Sequence, residues 1–494
     1  MNGDGGGATQ APGGTTAPAS RGEGRPAAPQ ATPVAPDADR LWTVEEHLAD
    51  ILGALAPLPP RALPLLAAQG RVLAEEVRIP TALPPFDNSS MDGYAVRAAD
   101  VATAGPDTPA VLRVVGEVAA GSAATDTVGA GQAVRIMTGA PLPAGADAVV
   151  PVEWTDGGTG GGPVTAMPAH TAAPWGAAGE VRVYRAAPPG AHVRAAGSDA
   201  AAGSVALPAG TTLGPAQLGL LAAVGCPEVR VRPRPRVVVL STGDELVPPG
   251  EPLGPGRIHD ANSFLLTAAA RQAGAEAERL PPVGDDAAAL RALLAEQVAR
   301  ADVLVTSGGV SVGAYDVVKE ALAGGAADGP GPVGAVTFRR LAMQPGKPQG
   351  FGLLGPAGQD GGPRVPLLAL PGNPVSAYVS FTLFVRPVIR TLLGCAQVHL
   401  PRVRARLAAD APLRSPRGRR QFLRGRYRPG EDGVGVVSPV GGASSHLLAS
   451  LARANALVVV PEETEAVPPG AEVEVVLLDD AVAGEQPVSA VDGT

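Results

Sequence analysis

The chain has 494 residues, too many for one hydrophobic core, so several domains are expected. Hydrophobic residues make up 45% but aromatics only 3%, and a net charge of -8 excludes a general nucleic-acid binder, which needs a basic face for phosphate. The two cysteines, Cys226 and Cys395, are far apart and exclude a disulfide framework and a CxxC zinc site. No apolar run approaches the roughly 20 residues that span a bilayer, and the N-terminus lacks a charged-then-apolar signal pattern. A soluble, cytoplasmic protein with no membrane and no nucleic-acid partner is expected.

Residues 1–40 contain no Leu, Ile, Phe, Tyr or Trp and cannot bury enough surface to offset their ordering entropy. They are read as a disordered tail, and 481–494 as a second tail. Order begins near Leu41. Thr43 is placed as an N-cap, with Glu45 and Glu46 in the first turn and Leu48, Ile51, Leu52 and Leu55 on one face of a helix. A second amphipathic stretch runs from 63 to 77. Short alternating strands follow to about residue 155, and a Gly, Ala and Pro rich stretch at 157–179 reads as a loop or insertion. Strand character resumes at 181–213 and is expected to pair back with the first segment. The expected boundaries are 41–82 with 176–213 for a discontinuous N-terminal domain, and 83–175 for an inserted β domain.

From 214 to 395 strands alternate with helices, the pattern of a largely parallel sheet covered by helices. Short strands return at 396–480 and predict a closing β-barrel or sandwich. Three loops follow three strands of the α/β part: Ser241-Thr242-Gly243-Asp244-Glu245, Ser307-Gly308-Gly309-Val310-Ser311-Val312-Gly313, and Pro371-Gly372-Asn373-Pro374. Ligands of open α/β sheets bind outside the carboxyl ends of the strands, so the three loops could line one pocket. The glycine-rich loop runs into a helix and offers backbone N–H groups to an anion, with the hydroxyls of Ser307 and Ser311 as further donors. It has no GK[ST] and is no Walker loop, and a tight turn would explain its glycines equally well.

Asn373 stands at an N-cap position and Pro374 at the first helical position, a sufficient structural reason for both. Ser376 follows in the same turn. Asp244, Glu245 and Asp316 beside a phosphate pocket suggest a magnesium ion, although Asp316 also suits a helix N-terminus by charge alone. Lys347, in the turn Gln344-Pro345-Gly346-Lys347-Pro348, reaches an anion or is simply solvated. Arg339 and Arg340 precede it. Thr138 and Asp147 are site residues or only turn residues. The basic run 414–426 reads as a solvated barrel face.

Six segments occur in a fixed order: PPFDNSSMDGYAV, VRIMTGAPLPAGADAVVPVE, VVVLSTGDEL, LVTSGGVSVGAYDVVKEAL, LAMQPGKP and LPGNPVSAYVSF. Together with SSHLLASLARANALVVVP they resemble the molybdopterin molybdenumtransferase (MoeA) family, which includes the E domain of gephyrin. The likeness runs from about 41 to 478. It implies a three-layer α/β molybdopterin-binding domain with a mixed, mostly parallel sheet, an inserted β domain, a mixed N-terminal dimerisation domain and a C-terminal β-barrel. It also implies an elongated homodimer with its site between the α/β domain of one subunit and the β domain of the other. The substrates would be molybdate and adenylyl-molybdopterin, and the products molybdenum cofactor and AMP, with Mg2+.

Matched motif by motif, the resemblance places functional groups at Asp92, Thr138, Asp244, Asp316, Arg340 and Lys347. Nucleotide phosphate would meet Ser307, Gly308, Gly309, Ser311, Gly313, Pro371, Gly372, Asn373 and Ser376. The metal would meet Asp244, Glu245 and Asp316. A contact with the molybdopterin adenylyltransferase is a further expectation. Two departures stand out: Gln344 where many relatives carry Lys, and Ser198 where many carry a Glu. Two rivals remain on the residues alone, a pterin adenylyltransferase or nucleotide pyrophosphatase on the same α/β module, and a non-catalytic scaffold.

Overall fold

Strands Val303–Ser307 and Val365–Leu370 are buried at every residue, which only the interior of a sheet covered on both faces permits. In the computed structural model, which describes residues 40–167, 179–310, 317–322, 336–355, 364–430 and 433–478, they are the third and fourth positions of a seven-stranded sheet counted from its Glu276–Arg279 edge. The order is Leu41–Trp42, Val336–Leu341, Pro348–Leu354, Val365–Leu370, Val303–Ser307, Arg236–Ser241, Glu276–Arg279. Only Pro348–Leu354 runs against its neighbours, so the sheet is mixed and mostly parallel.

The period of two divides each central strand between two cores. Val237, Val239, Val303, Val305, Leu368 and Leu370 pack against helices Asn262–Gln272 and Pro374–Ser380. Val238, Leu240, Leu304, Leu367 and Ala369 pack against Ala287–Val298 and Val317–Leu322. The helix from Pro374 continues through a π turn, Phe381–Val385, into Arg386–Leu392. Pro387 lacks a donor there, and the helical ladder must be re-phased around it.

The chain's first ordered segment joins this layer. Leu41–Trp42 is its edge strand, and Val44–Gly53 packs Val44 and Ile51 into the same core as Phe384. The N-cap expected at Thr43 is present, and it is half of a capping box: its hydroxyl accepts from Glu46 N at 3.1 Å, and Glu46 returns a carboxylate to Thr43 N at 2.9 Å. Residues 41–53 therefore lie with the α/β layer and not with the N-terminal domain assigned to them on sequence. The stretch 63–77 is no helix. It forms Arg61–Pro64, a 3-10 turn Leu65–Ala68, Val72–Leu73 and Val77–Arg78, because Pro64 and Gly70 interrupt helical continuation.

Glu228–Arg232 pairs with both Arg61–Pro64 and Val72–Leu73. With Pro215–Ala223 it closes a small core of Leu73, Leu213, Leu221 and Val231. The discontinuous N-terminal domain thus extends past residue 214, where the α/β part was expected to begin. Glu180–Val183 was likewise grouped with that domain, yet it hydrogen-bonds to Ala110–Val118 as the edge of the inserted sheet. That sheet has the order Glu180–Val183, Ala110–Val118, Gln132–Ile136, Gly93–Val96, Ala148–Pro151. In the C-terminal part, Arg420–Arg428, Gly435–Pro439, Arg402–Leu407, Glu472–Leu477 and Ala456–Val460 pair in turn, and the last returns to the first, closing a five-stranded barrel. Among the described residues no helix is long and apolar enough to cross a membrane.

Arg339 fastens the first helix to the sheet. Its guanidinium lies 3.9 Å from the centre of the Trp42 ring and donates to Asp50 Oδ2 at 2.6 Å and to His47 Nδ1 at 3.4 Å. An arginine only donates, so His47 Nδ1 must carry the lone pair and the ring is neutral. His47 is 1% exposed and meets Phe384 edge-on. Burial, helped by the Arg339 charge, pushes its pKa down to about 3. An unfolded histidine protonates near pH 6.5, so the stability that neutral His47 preserves is complete above that pH and declines as pH falls toward 3, by about 1.4 kcal/mol per unit. Urea unfolding at pH 7 and pH 5 should therefore show the parent losing roughly 2 kcal/mol more than His47→Leu. Equal losses would mean that the ring takes up its proton in the fold as readily as in the unfolded chain.

Candidate functional site

The carboxyl ends of Arg236–Ser241, Val303–Ser307 and Val365–Leu370 lie side by side, so the three loops that follow them must meet. Backbone bonds stitch them together: Thr242 N donates to Ser307 O at 2.9 Å, and Gly308 N to Leu370 O at 3.1 Å. Gly308 has φ +105°, and a Cβ on it would stand 2.5 Å from Thr242 O. Gly309 has φ +63°, and its Cβ would reach 2.9 Å from Val318 N. These two glycines are required by left-handed backbone and by close approach together.

Ser307 is 1% exposed, and its hydroxyl donates to Pro371 O at 3.2 Å. That hydrogen ties the second loop to the third, which is a different task from the ligand donation expected of it. Asn373 occupies the N-cap position of Pro374–Ser380, but its side chain makes no cap bond. It donates instead to Ser445 Oγ at 3.0 Å, and Val375 N donates to Ser445 O at 3.0 Å. The third loop is therefore docked on the segment that follows the barrel strand Gly435–Pro439 in the chain, 440–446.

Asp244 and Glu245 are both exposed. Asp244 Oδ1 accepts from Asp285 N at 3.0 Å, and no hydrogen bond is formed by its other oxygen among the described residues. Among those residues no group of three His, Cys, Asp or Glu side chains is placed to hold a metal unaided. Ser311, Gly313 and Asp316 lie outside the described residues.

The turn at Lys347 builds a second feature. Met343–Gln344 pairs in parallel with Arg420 and Gln421 of the barrel, which carries the turn to the barrel's Arg419. Gln344, Lys347, Ser376, Arg419, Ser445 and His446 line a cleft of about 380 Å³. Desolvation, then Arg340, then Arg419 lower the pKa of Lys347, so cations crowd here with a deficit of negative charge. Arg339 and Arg340 alternate on their strand, which sends one to the first helix and leaves the other exposed on the Lys347 side. Such a cleft suits a small oxyanion.

The run 414–426 is only partly a solvated face. Arg424 is 2% exposed and donates to Gly442 O and Ser444 O, holding the loop that supplies Ser445 and His446. Arg419 faces the cleft. Sequence reasoning missed both because their placement depends on the closed barrel, and a charge run carries no sign of which member turns inward. Asp260 was missed as well. It is 1% exposed and accepts from Ser241 Oγ at 2.9 Å and Ser263 N at 3.1 Å.

Asp92 and Thr138 stand together in the inserted domain. Asp92 Oδ1 accepts from Thr138 N at 2.7 Å and Thr138 Oγ1 at 2.8 Å, and both residues are exposed. Asp147, the other candidate nearby, accepts from Ala98 N at 2.6 Å and so caps a short helix, Ala98–Val101. Ser198 is an exposed turn residue, flanked by Gly197 and Asp199, whose amides donate to Pro84 O and Leu83 O.

Known proteins resemble this chain along most of its length. Residues 42–225 match the family described as MoeA N-terminal region (domain I and II), 238–391 the probable molybdopterin binding domain, and 405–478 the MoeA C-terminal region (domain IV). The chain is 44% identical over 435 residues to molybdopterin molybdenumtransferase 2 of Mycobacterium tuberculosis, covering 88% of this chain and 99% of the relative. It is 42% identical over 459 residues to molybdopterin molybdenumtransferase 1 of the same organism, covering 89% and 99%. A solved molybdopterin biosynthesis MoeA protein from Pyrococcus horikoshii superposes with a TM-score of 0.71 at 33% identity, covering 89% of this chain and all of that one.

The close approach at Gly308 can be tested directly. Gly308→Ala is expected to lower stability by about 1–3 kcal/mol, through strained φ and the clash with Thr242 O. A melting temperature equal to the parent's would show that the loops are free to separate.

Proposed function

The chain belongs to the molybdopterin molybdenumtransferase family, and on that footing we propose that it inserts molybdate into adenylyl-molybdopterin, yielding molybdenum cofactor and AMP. The observation that carries the reading is the cleft in which Lys347 and Arg419 meet Ser376 and Ser445, onto which the Pro371–Pro374 loop is docked through Asn373. Molybdate is a tetrahedral dianion, and these groups supply two cations and two hydroxyls around one small volume. The nucleotide's phosphates lie along the glycine-rich loop and the Pro371–Pro374 loop, which Ser307 and Gly308 already fasten to each other.

Mg2+ fits the chemistry of the donors. Hard carboxylate oxygens at Asp244 and Glu245 are exposed next to the phosphate loops, and Mg2+ commonly uses one or two carboxylates, with phosphate and water completing its shell. When bound it supplies positive charge to the pyrophosphate linkage. The chain's own residues then do the positioning. Lys347 and Arg419 hold the oxyanion, and the loops hold the nucleotide, so that the two pterin thiols displace two molybdate oxygens as water, with protons from solvent, while one water cleaves the phosphoanhydride, leaving phosphate on the pterin and releasing AMP. No side chain is required as a covalent nucleophile.

The exposed Asp92–Thr138 pair supports a site completed by a second copy of the chain, in a cytoplasmic homodimer that receives its substrate from an adenylyltransferase. Gln344 contributes a neutral amide where many relatives have a lysine, and Arg419 with Lys347 carries the charge of the cleft.

AMP release from adenylyl-molybdopterin, with and without molybdate, tests the reading. Molybdate-dependent release that is lost in Asp244→Asn is expected. Release independent of molybdate would instead mark a pyrophosphatase, and no release from folded protein with Mg2+ would mark a scaffold. Within the transferase reading, Lys347→Ala and Arg419→Ala should each raise the molybdate KM about tenfold or more, the size of one charge-assisted hydrogen bond. Unchanged KM values in both variants would move molybdate out of this cleft.

A further inference from the structure

Asn262 opens the helix Asn262–Gln272 and lies outside the glycine-rich and proline-glycine motifs. Its Nδ2 donates to Ser307 Oγ at 2.9 Å and to Gly372 O at 2.6 Å. The orientation of this amide follows from its partners. Gly372 O can only accept, and Ser307 spends its own hydrogen on Pro371 O, so Oγ must accept too. Both Nδ2 hydrogens are therefore used, one on each of two different loops.

The opposite end of the side chain confirms that this placement is imposed. Asn262 Oδ1 is buried and meets no hydrogen-bond donor among the described residues. A buried acceptor without a donor is costly, so the surroundings must hold the amide in place for its donors. Asp260 does so. Its carboxylate accepts from Ser241 Oγ, Ser263 N and Ser263 Oγ, which pins the start of the helix to the end of strand Arg236–Ser241. One turn of chain thus connects the ends of three strands.

We infer that Asn262 is a positioning residue that sets the separation between the glycine-rich loop and the Pro371–Pro374 loop, and with it the spacing of the groups that receive the nucleotide's phosphates. The inference rests on the transferase reading for its ligand, but the clamp itself is a property of the fold. It acts through Ser307 and Gly372 and touches no reacting atom.

The intact protein tests it by steady-state kinetics and thermal unfolding of Asn262→Ala, Asn262→Asp, Ser307→Ala and the Asn262→Ala/Ser307→Ala double variant. Asn262→Ala should raise the KM for adenylyl-molybdopterin about tenfold with a smaller effect on kcat. Asn262→Asp, nearly the same size, should be at least as impaired, because a carboxylate would face Gly372 O. The double variant should be less impaired than the two single effects combined, since both break the same bond. A parent-like KM, combined effects that simply multiply, or an Asn262→Asp variant as active as the parent would overturn the inference. Calorimetric binding of AMP to the same variants separates the two readings. A parent enzyme without molybdate-dependent turnover sinks the transferase, while weakened AMP binding in Asn262→Ala still upholds the clamp and unweakened binding removes it.

Discussion

The basic cleft exists because two residues of the α/β part, Met343 and Gln344, continue into the barrel as a strand paired with Arg420 and Gln421. Without that short parallel pairing, Lys347 and Arg419 would belong to separate domains with no reason to approach. Two like charges brought together in this way repel, and after desolvation the charges of Arg340 and Arg419 help to lower the Lys347 pKa. The fold tolerates the repulsion because backbone bonds on either side are already committed: Leu341 N donates to Lys347 O at 2.7 Å and Arg420 N to Ala342 O at 2.9 Å. An anion entering the cleft relieves a strain that the architecture created.

A second pattern runs through the loops. Most of the polar side chains that look available for a ligand are engaged with one another. Ser307 serves Pro371, Asn373 serves Ser445, and Arg424 serves the loop at 442–444. What remains for a ligand is exposed backbone, Lys347, Arg419, the hydroxyls of Ser376 and Ser445, and the exposed carboxylates of Asp244 and Glu245. Groups fixed before binding need little reorganisation when charge arrives.

Much of this architecture was legible in the residues. The N-cap at Thr43, the apolar strands at 237–240, 303–306 and 367–370, and the helices after them follow from local pattern, and they appear where the pattern puts them. Boundaries were less legible, because a boundary is a statement about pairing. Leu41–Trp42, Glu180–Val183 and Glu228–Arg232 each join a sheet whose other strands lie far away in sequence. The site shows the same division. Lys347 and Ser376 were visible as motif residues, whereas Arg419, Arg424, Asp260 and Asn262 acquire meaning only from neighbours that folding supplies.

The inserted domain leaves and rejoins the rest of the chain at one place. Leu83 N donates to Ala200 O at 2.8 Å, and the amides of Asp199 and Ala200 both donate to Leu83 O, so entry and exit are hydrogen-bonded to each other. Its own sheet has its own apolar centre of Tyr94, Val96, Leu112, Val150 and Val181. A module with adjoining ends and a private core is a cassette: it can be lifted out and the gap bridged by a very short splice, leaving the strands at 61–64, 72–73 and 228–232 to pair as before. The chain therefore carries Asp92 and Thr138 on a part that is exchangeable in construction, attached to a layer that is not.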